Sequence, residues 1–261
     1  MANIKTASEI QAMREGGLLL SEALQAAVNA VKPGITMREL DEIATRVLEQ
    51  GGGIPSFRGY AAGGSVPFPS TVCISNNHEV VHGVGLRDLV LEEGDIVGLD
   101  IGVWLNDMCT DMACTVPVGN VNKGRLDLLR TTKESMYAGV EAAVVGATVA
   151  DISGAVEDTI DQNRYGIVRA LVGHGVGHEV HEPPHVPNYR TRNAPHIPLE
   201  IGMCIAIEPM VTTGGYDVET AEDGWTIATA DGSDAAHFEV TIAILENGPE
   251  ILTPQPIIKG L

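Results

Sequence analysis

Four carboxylates stand inside apolar, strand-forming stretches of this 261-residue sequence: Asp100 in Ile96-Val-Gly-Leu-Asp-Ile-Gly-Val103, Asp111 in Met108–Val116, Glu208 in Met203–Thr213 and Glu239 in His237–Leu245. A carboxylate at a strand centre is costly to bury unless a cation compensates it. Local cations are scarce. Arg87 is the only Lys or Arg between Gly59 and Asn122, and there is none between Asn193 and Ile258. A bound metal is the simplest compensation. Imidazole is supplied by Gly173-His-Gly-Val-Gly-His-Glu-Val-His-Glu-Pro-Pro-His185. Carboxylates with imidazole suit divalent ions of the Mn, Fe, Co and Zn group, and a set this large suits a catalytic pair of ions. His174 and His178 have the i, i+4 spacing of a zinc-protease helix, but Gly173, Gly175 and Gly177 favour a glycine loop whose backbone can approach a ligand. The same cluster also reads as a surface metal-scavenging tract. His82, in Val80-Val-His-Gly83, is a weaker, isolated signal, an imidazole of a kind that alone is more often structural.

These residues need elements to aim them. Period-2 alternation puts Gly98, Asp100 and Gly102 on one strand face and Val97, Leu99, Ile101 and Val103 on the other, so Asp100 has room around it. The same alternation groups Asp111 with Cys109 and Ala113, Glu208 with Cys204 and Ala206, and Glu239 with His237 and Thr241. Strands are expected over Thr71–Ser75, Asp95–Leu105, Met108–Val116, Arg164–Val172, Met203–Thr213, Trp225–Thr229 and His237–Leu245, with a hairpin turn at Asn106-Asp107. Capping boxes at Thr6-Ala-Ser-Glu9 and Thr36-Met-Arg-Glu39 predict helices reaching about Val31 and Gly51, and Leu126–Val145 reads as a third. The segment from Val31 to Leu40 resembles Val144 to Ile152, each giving Gly-x-Thr-x-x-acid-aliphatic before an amphipathic helix. Two halves of helix, helix and strands predict an α+β chain, with helices covering one face of a mostly antiparallel sheet.

Composition narrows the partners. Lys and Arg total 16 against 35 Asp and Glu, a formal charge of -19, which argues against specific nucleic acid or an anionic membrane as partner. Hydrophobic residues make up 44% of the chain, too many for a disordered acidic protein, and no apolar run reaches the length of a membrane span. The N-terminus lacks the apolar core of a signal peptide. Cys73, Cys109, Cys114 and Cys204 lie in apolar stretches without metal-finger spacing. Together these features predict a soluble protein with reduced thiols in the cytoplasm.

The order Asp100, Asp111, His174, Glu208, Glu239 resembles the five-ligand set of the methionine aminopeptidase and Xaa-Pro peptidase superfamily, metallopeptidase family M24. The similarity is strongest to type I methionine aminopeptidases, whose signature Gly-His-Gly-aliphatic-Gly, three residues, His, four residues, aliphatic, one residue, Asn, Tyr is met by Gly173 to Tyr189. Asp223-Gly-Trp-Thr226 and Val72-Cys-Ile-Ser75 also resemble that branch, and the likeness runs from about Ile4 to Thr253.

The resemblance implies a single domain over 1–261 with the pita-bread fold, its pseudo-twofold halves being about 1–120 and 121–261. It implies two divalent ions, Co, Mn, Fe or Zn, bridged by Asp111 and Glu239, with Asp100 on one and His174 and Glu208 on the other, and an additional monovalent cation. A water activated by the ions would attack the first peptide carbonyl with Glu208 as general base, His181 at that carbonyl and His82 at the amide nitrogen beyond it. Phe57, Tyr60, Phe68, Cys73, Val180 and Trp225 match the methionine pocket. The implied substrate is the N-terminus of a nascent polypeptide with a small second residue, met by a monomeric enzyme with transient ribosome contact. Some features depart from the pattern. Leu171 stands where Met, Phe or Tyr is usual, the Ala61–Pro67 loop is longer, Asn76-Asn-His-Glu79 carries extra charge, and His178-Glu-Val-His181 resembles the Xaa-Pro branch. The Xaa-Pro alternative would bring a large N-terminal domain and an arginine beside the bridging acid, where this sequence has a short helical segment and His237. A non-catalytic binding protein of the same fold is the second alternative.

Overall fold

The computed structural model describes residues 2–61, 66–191 and 196–261. Residues 62–65 of the long Ala61–Pro67 loop lie outside the described residues.

Both expected capping boxes form. Thr6 Oγ1 accepts the Glu9 N–H while Glu9 Oε2 accepts the Thr6 N–H at 2.7 Å, opening α1 (Ala7–Ala30). Thr36 and Glu39 do the same for α2 (Met37–Gln50). The third helix, α3 (Lys123–Ala142), starts earlier than its apolar periodicity suggests, because the Asn122 side chain accepts the Arg125 N–H and supplies an N-cap. It also stops sooner, leaving Val144 and Val145 exposed before the turn at Gly146. Thr148 and Asp151 box the start of α4 (Val149–Thr159). The resemblance between the two segments extends to bonding. Leu91 receives Gly34 N–H and donates to Ile35 O, just as Leu199 receives Gly146 N–H and donates to Ala147 O. Met37 then bonds Leu89 O, and Val149 bonds Ile197 O.

The main sheet has nine strands, all antiparallel. Its path runs Ile54–Pro55, Ile96–Leu105, Met108–Pro117, Glu239–Leu245, Cys204–Ile207, Gly173–Gly175, Glu182–Val186, with Val72–Asn76 also on Ile96–Leu105 and Gly248–Ile251 on Glu239–Leu245. The hairpin turn is as expected: Leu105 pairs with Met108, and Asn106 and Asp107 hold φ of 52° and 61°. Val97, Leu99, Ile101 and Val103 face the helices and share one core with Leu20 and Leu24 of α1, Leu40 and Leu48 of α2, Leu128 and Met136 of α3, and Ile152 and Val156 of α4. Each such side chain contributes about 1.5–3 kcal/mol by leaving water.

Three expected strands differ. Arg164–Val172 pairs only over Gly166–Ile167. Met203–Thr213 divides into Cys204–Ile207 and Met210–Thr212, and His237–Leu245 belongs to a longer run that divides into Ala235–His237 and Glu239–Leu245. Pro209 has no N–H to give a ladder, and Phe238 N–H bonds Pro209 O across the break. At this corner both chains leave the nine-stranded sheet for a three-stranded one formed by Ala235–His237, Met210–Thr212 and Gly166–Ile167. Glu208 and Glu239 therefore stand at a corner between two sheets, not at strand centres.

The seating of α1 is tight. A Cβ on Gly17 would lie 2.0 Å from Leu252 O, whereas one on Gly16 would meet nothing closer than 3.4 Å. Gly17→Ala is expected to destabilise the protein by about 1–3 kcal/mol or more, with Gly16→Ala near neutral; paired thermal melts check this.

Candidate metal centre

Strand register lines up the acids. Cys73 pairs with Asp100, Asp100 with Ala113, and Ala113 with Glu239, so the small Ala113 side chain is all that stands in the row between two carboxylates. Asp111, two residues from Ala113 on the same face, pairs with Gly102. One step beyond the Val240–Ile207 pair, Glu208 meets the same space. The backbone beneath is pinned from outside the cluster: Asp111 N–H donates to Thr241 Oγ1, Thr241 Oγ1 donates back to Asp111 O at 2.8 Å, and Gln255 Nε2 donates to both Ala113 O and Glu239 O. Asn188 of the long signature donates to Glu208 O at 3.1 Å.

His174 belongs to the Gly173–Gly175 strand, and the stretch expected as a glycine loop is two short strands joined by a turn. His174 Nε2 lies 3.4 Å from Glu208 Oε1. Asp111, His174 and Glu239, all buried, each offer a ligand atom within 4.8 Å of the others. Asp100 Oδ1, Asp111 Oδ1 and Glu239 Oε1 are buried with no protein hydrogen-bond partner. Buried polar atoms are normally satisfied, and a divalent cation would satisfy all three, so the residues fit a metal.

The electrostatics agree. Burial, followed by neighbouring carboxylates, pushes Asp111, Glu208 and Glu239 well above the usual carboxyl range. Burial raises Asp100 to about 7 against a counteracting bond from Cys73. Burial, with a smaller effect from His181, holds His174 down to about 3. Burial thus favours the neutral form of the acids and of His174 alike.

A cavity of about 610 Å³ opens over the cluster, lined by the four acids and His174 together with His82, His181, Phe57, Tyr60, Phe68, Cys73 and Trp225. Val180 is buried in the apolar cluster with Phe57, Phe68 and Cys73. Phe68 and Trp225 meet edge to face with ring centroids 5.2 Å apart. Trp225 is set by Asp223, whose carboxylate accepts Trp225 N–H, Thr226 N–H and the Thr226 hydroxyl. Tyr60 OH and His181 Nδ1 lie 2.9 Å apart, and the His181 ring centroid is 4.4 Å from that of His174. His82 sits at φ 59°, a left-handed conformation rare outside glycine. Burial lowers its pKa to about 4.

His237 was not among the sequence's site candidates. It is 3% exposed, its Nε2 is unpartnered, and it lies 3.7 Å from Glu208 Oε2 and 3.9 Å from Glu239 Oε2. The signal was the shared alternation face with Glu239. His185 and Leu171 also line the cavity. His178 turns away, its Nε2 2.8 Å from Glu9 Oε1.

Residues 11–246 match metallopeptidase family M24. The methionine aminopeptidase of Clostridium acetobutylicum is 46% identical over 254 residues, covering 97% of this chain and 99% of the relative. Methionine aminopeptidase 1 of Bacillus subtilis is 43% identical over 251 residues, 95% of this chain and 98% of the relative. The crystal structure of the Thermotoga maritima methionine aminopeptidase superposes with a TM-score of 0.92 at 38% identity, covering 98% of this chain and 100% of that one. The prolidase of Pyrococcus furiosus, 24% identical with a TM-score of 0.77 over 97% of this chain and 66% of its own, shares the pita-bread fold. The chain belongs to metallopeptidase family M24, on its methionine aminopeptidase branch.

Proposed function

We propose that this protein removes the initiator methionine from nascent polypeptides whose second residue is small. The observation that carries the reading is the convergence of four cation-poor carboxylates, three of them buried, and His174 on the floor of an aromatic-walled cavity. Asp111 and Glu239 would be shared by two divalent ions of the Co, Mn, Fe or Zn group, Asp100 would hold one, and His174 and Glu208 the other. Such ions, when bound, acidify a water and polarise the peptide carbonyl. Glu208 is the proton acceptor, placed at the corner where it borders both the cluster and the open cavity. His181 hydrogen-bonds the first carbonyl, its ring fixed by Tyr60, and His82 meets the next amide nitrogen. Burial lowers both imidazoles, so they stay neutral near pH 7 and do not repel the substrate ammonium.

Phe57, Tyr60, Phe68, Cys73, Val180 and Trp225 form the pocket for an unbranched thioether, which packs well against aromatic edges. Trp225→Ala is expected to lower kcat/KM on methionyl peptides roughly tenfold, mostly through KM, since sulfur–aromatic contact and burial together contribute on the order of 1.5 kcal/mol. Steady-state kinetics on Met-Ala-Ser checks this.

The repeated bonding about Leu91 and Leu199 supports one domain of two similar halves, about 1–120 and 121–261. Among the described residues no helix is long and apolar enough to cross a membrane, and four buried free cysteines fit a reducing cytoplasm. We take the protein to act there as a monomer. Any ribosome contact would be brief, because a charge of -19 offers little grip on RNA. An additional monovalent cation belongs to this reading by family likeness.

The test is a peptide panel on chelated protein reloaded separately with Co, Mn, Fe or Zn. Methionine should be released from Met-Ala-Ser and not from Met-Lys-Ser. Cleavage of Ala-Pro instead would favour the Xaa-Pro branch, and inactivity with every metal would favour a binding protein.

A further inference from the structure

Among the Lys and Arg ion pairs of the described residues, Lys5–Glu182 is the one sealed from water on both sides: Nζ lies 2.6 Å from Oε2, with each side chain 1% exposed. Burying two charges is a poor way to gain stability, because desolvation offsets much of the attraction. What the pair holds is more informative. Glu182 Oε1 accepts two successive backbone N–H groups, those of His178 and Glu179, the latter at 2.9 Å. One carboxylate thus closes the turn that carries His181, while Glu182 itself is fixed in strand pairing with Gly175. The lysine stem crosses the start of this turn. Gly177 holds φ +142°, and a Cβ there would lie 2.5 Å from Lys5 Cε. Gly177 O accepts the Cys109 N–H at 2.8 Å, tying the turn to the hairpin that bears Asp111. Lys5 is anchored in its turn: its N–H donates to Gly202 O at 2.8 Å, and Nζ also donates to Asn3 O.

We propose that Lys5 is a positioning residue, which through its buried pair with Glu182 fixes the 178–181 turn and so places His181 at the first carbonyl of the substrate. The inference rests on the reading of His181 given above. The N-terminal segment before α1 is then part of the catalytic apparatus, though it touches neither metal nor peptide. Because the pair is dry, its effect does not depend on salt.

The experiment compares Lys5→Met, Lys5→Arg, Glu182→Gln and His181→Ala in the metal-loaded protein, with hydrogen exchange of the 176–182 segment measured on each. Lys5→Met should speed exchange at the His178 and Glu179 amides and lower kcat on Met-Ala-Ser by about tenfold or more, with KM within about threefold. Metal content should be unchanged, and Lys5→Arg should recover most of the loss. In the His181→Ala background Lys5→Met should add little, because the two act through one contact. An equal loss in both backgrounds, unchanged exchange, or unchanged kcat would overturn the proposal. If Lys5→Met does not fold, Glu182→Gln breaks the same ion pair from its other side without loss of volume and carries the same expectations. Full activity in His181→Ala would overturn the reading of His181 and the catalytic consequence with it, while the exchange result judges the pair's hold on the turn separately.

Discussion

Glu208→Gln is expected to lower kcat by roughly 10²–10⁴-fold, the range that general-base catalysis supplies. Gln keeps the shape of the side chain and a carbonyl oxygen that can still ligate, but it cannot take a proton. The Glu208 backbone carbonyl is held by Asn188 and the next one, Pro209 O, by the Phe238 N–H, so the substitution leaves the corner itself in place. Two further observations make the loss specific to the proton. Glu208 is flanked by His174 at 3.4 Å and His237 at 3.7 Å, both lowered by burial to pKa values of about 3, so neither imidazole is basic enough to take over the proton. KM for Met-Ala-Ser should change only a few-fold, because the pocket around Trp225 is untouched. Steady-state kinetics with metal analysis of the same sample checks this, and a near-normal kcat in a fully loaded variant would remove Glu208 from the role of base.

The second large effect is on stability without metal. Chelated protein should lose stability as pH rises above about 6.5. Asp111, Glu208 and Glu239 are raised well above the ordinary range by burial and by each other, and burial raises Asp100 to about 7. In the unfolded chain these groups release their protons near pH 4. Between that pH and their folded values the native state binds more protons, so rising pH favours unfolding. His82, His174 and His237 act in the opposite sense, because burial lowers them to about 4, 3 and 3. Their destabilising demand for protons in the unfolded chain appears as pH falls below about 6.5. The two sets oppose each other from about pH 4.5 to 6.5, and above that the carboxylates act alone, each costing up to about 1.4 kcal/mol per pH unit. Glu9 and Asp231, lowered to about 2, titrate far below this window. Melts from pH 6.5 to 8 should show a falling Tm for chelated protein and a nearly level one with Mn or Co added, since the cation replaces the protons. A chelated protein whose Tm stays level or rises over that range would contradict the electrostatics of the cluster.

The parts of the centre legible in the sequence are those governed by local period. Asp100 and Asp111 sit on an uninterrupted hairpin, so alternation alone puts them beside Gly102 and Ala113 on the open face. The capping boxes of α1 and α2 are equally local, two side chains and two N–H groups within four residues. Glu208 and Glu239 were legible as buried acids but not as corner residues, because the break at Pro209 and Phe238 comes from strands leaving one sheet for another, a tertiary event. Alternation across that break nevertheless puts His237 beside Glu239, so the sequence already carries the signal that places this imidazole at the site. Arg164–Val172 is apolar enough for a strand, yet most of it has no neighbour with which to form a ladder. The Lys5–Glu182 pair joins residues 177 apart in sequence and leaves no local pattern.

The most direct test is anomalous scattering from crystals of the protein loaded with Mn or Co. Two anomalous peaks are expected in the cavity, both touching Asp111 and Glu239, one also touching Asp100 and the other His174 and Glu208. No peak between Asp111 and Glu239, with metal bound instead at the outer histidines such as His178 or His185, would contradict the account.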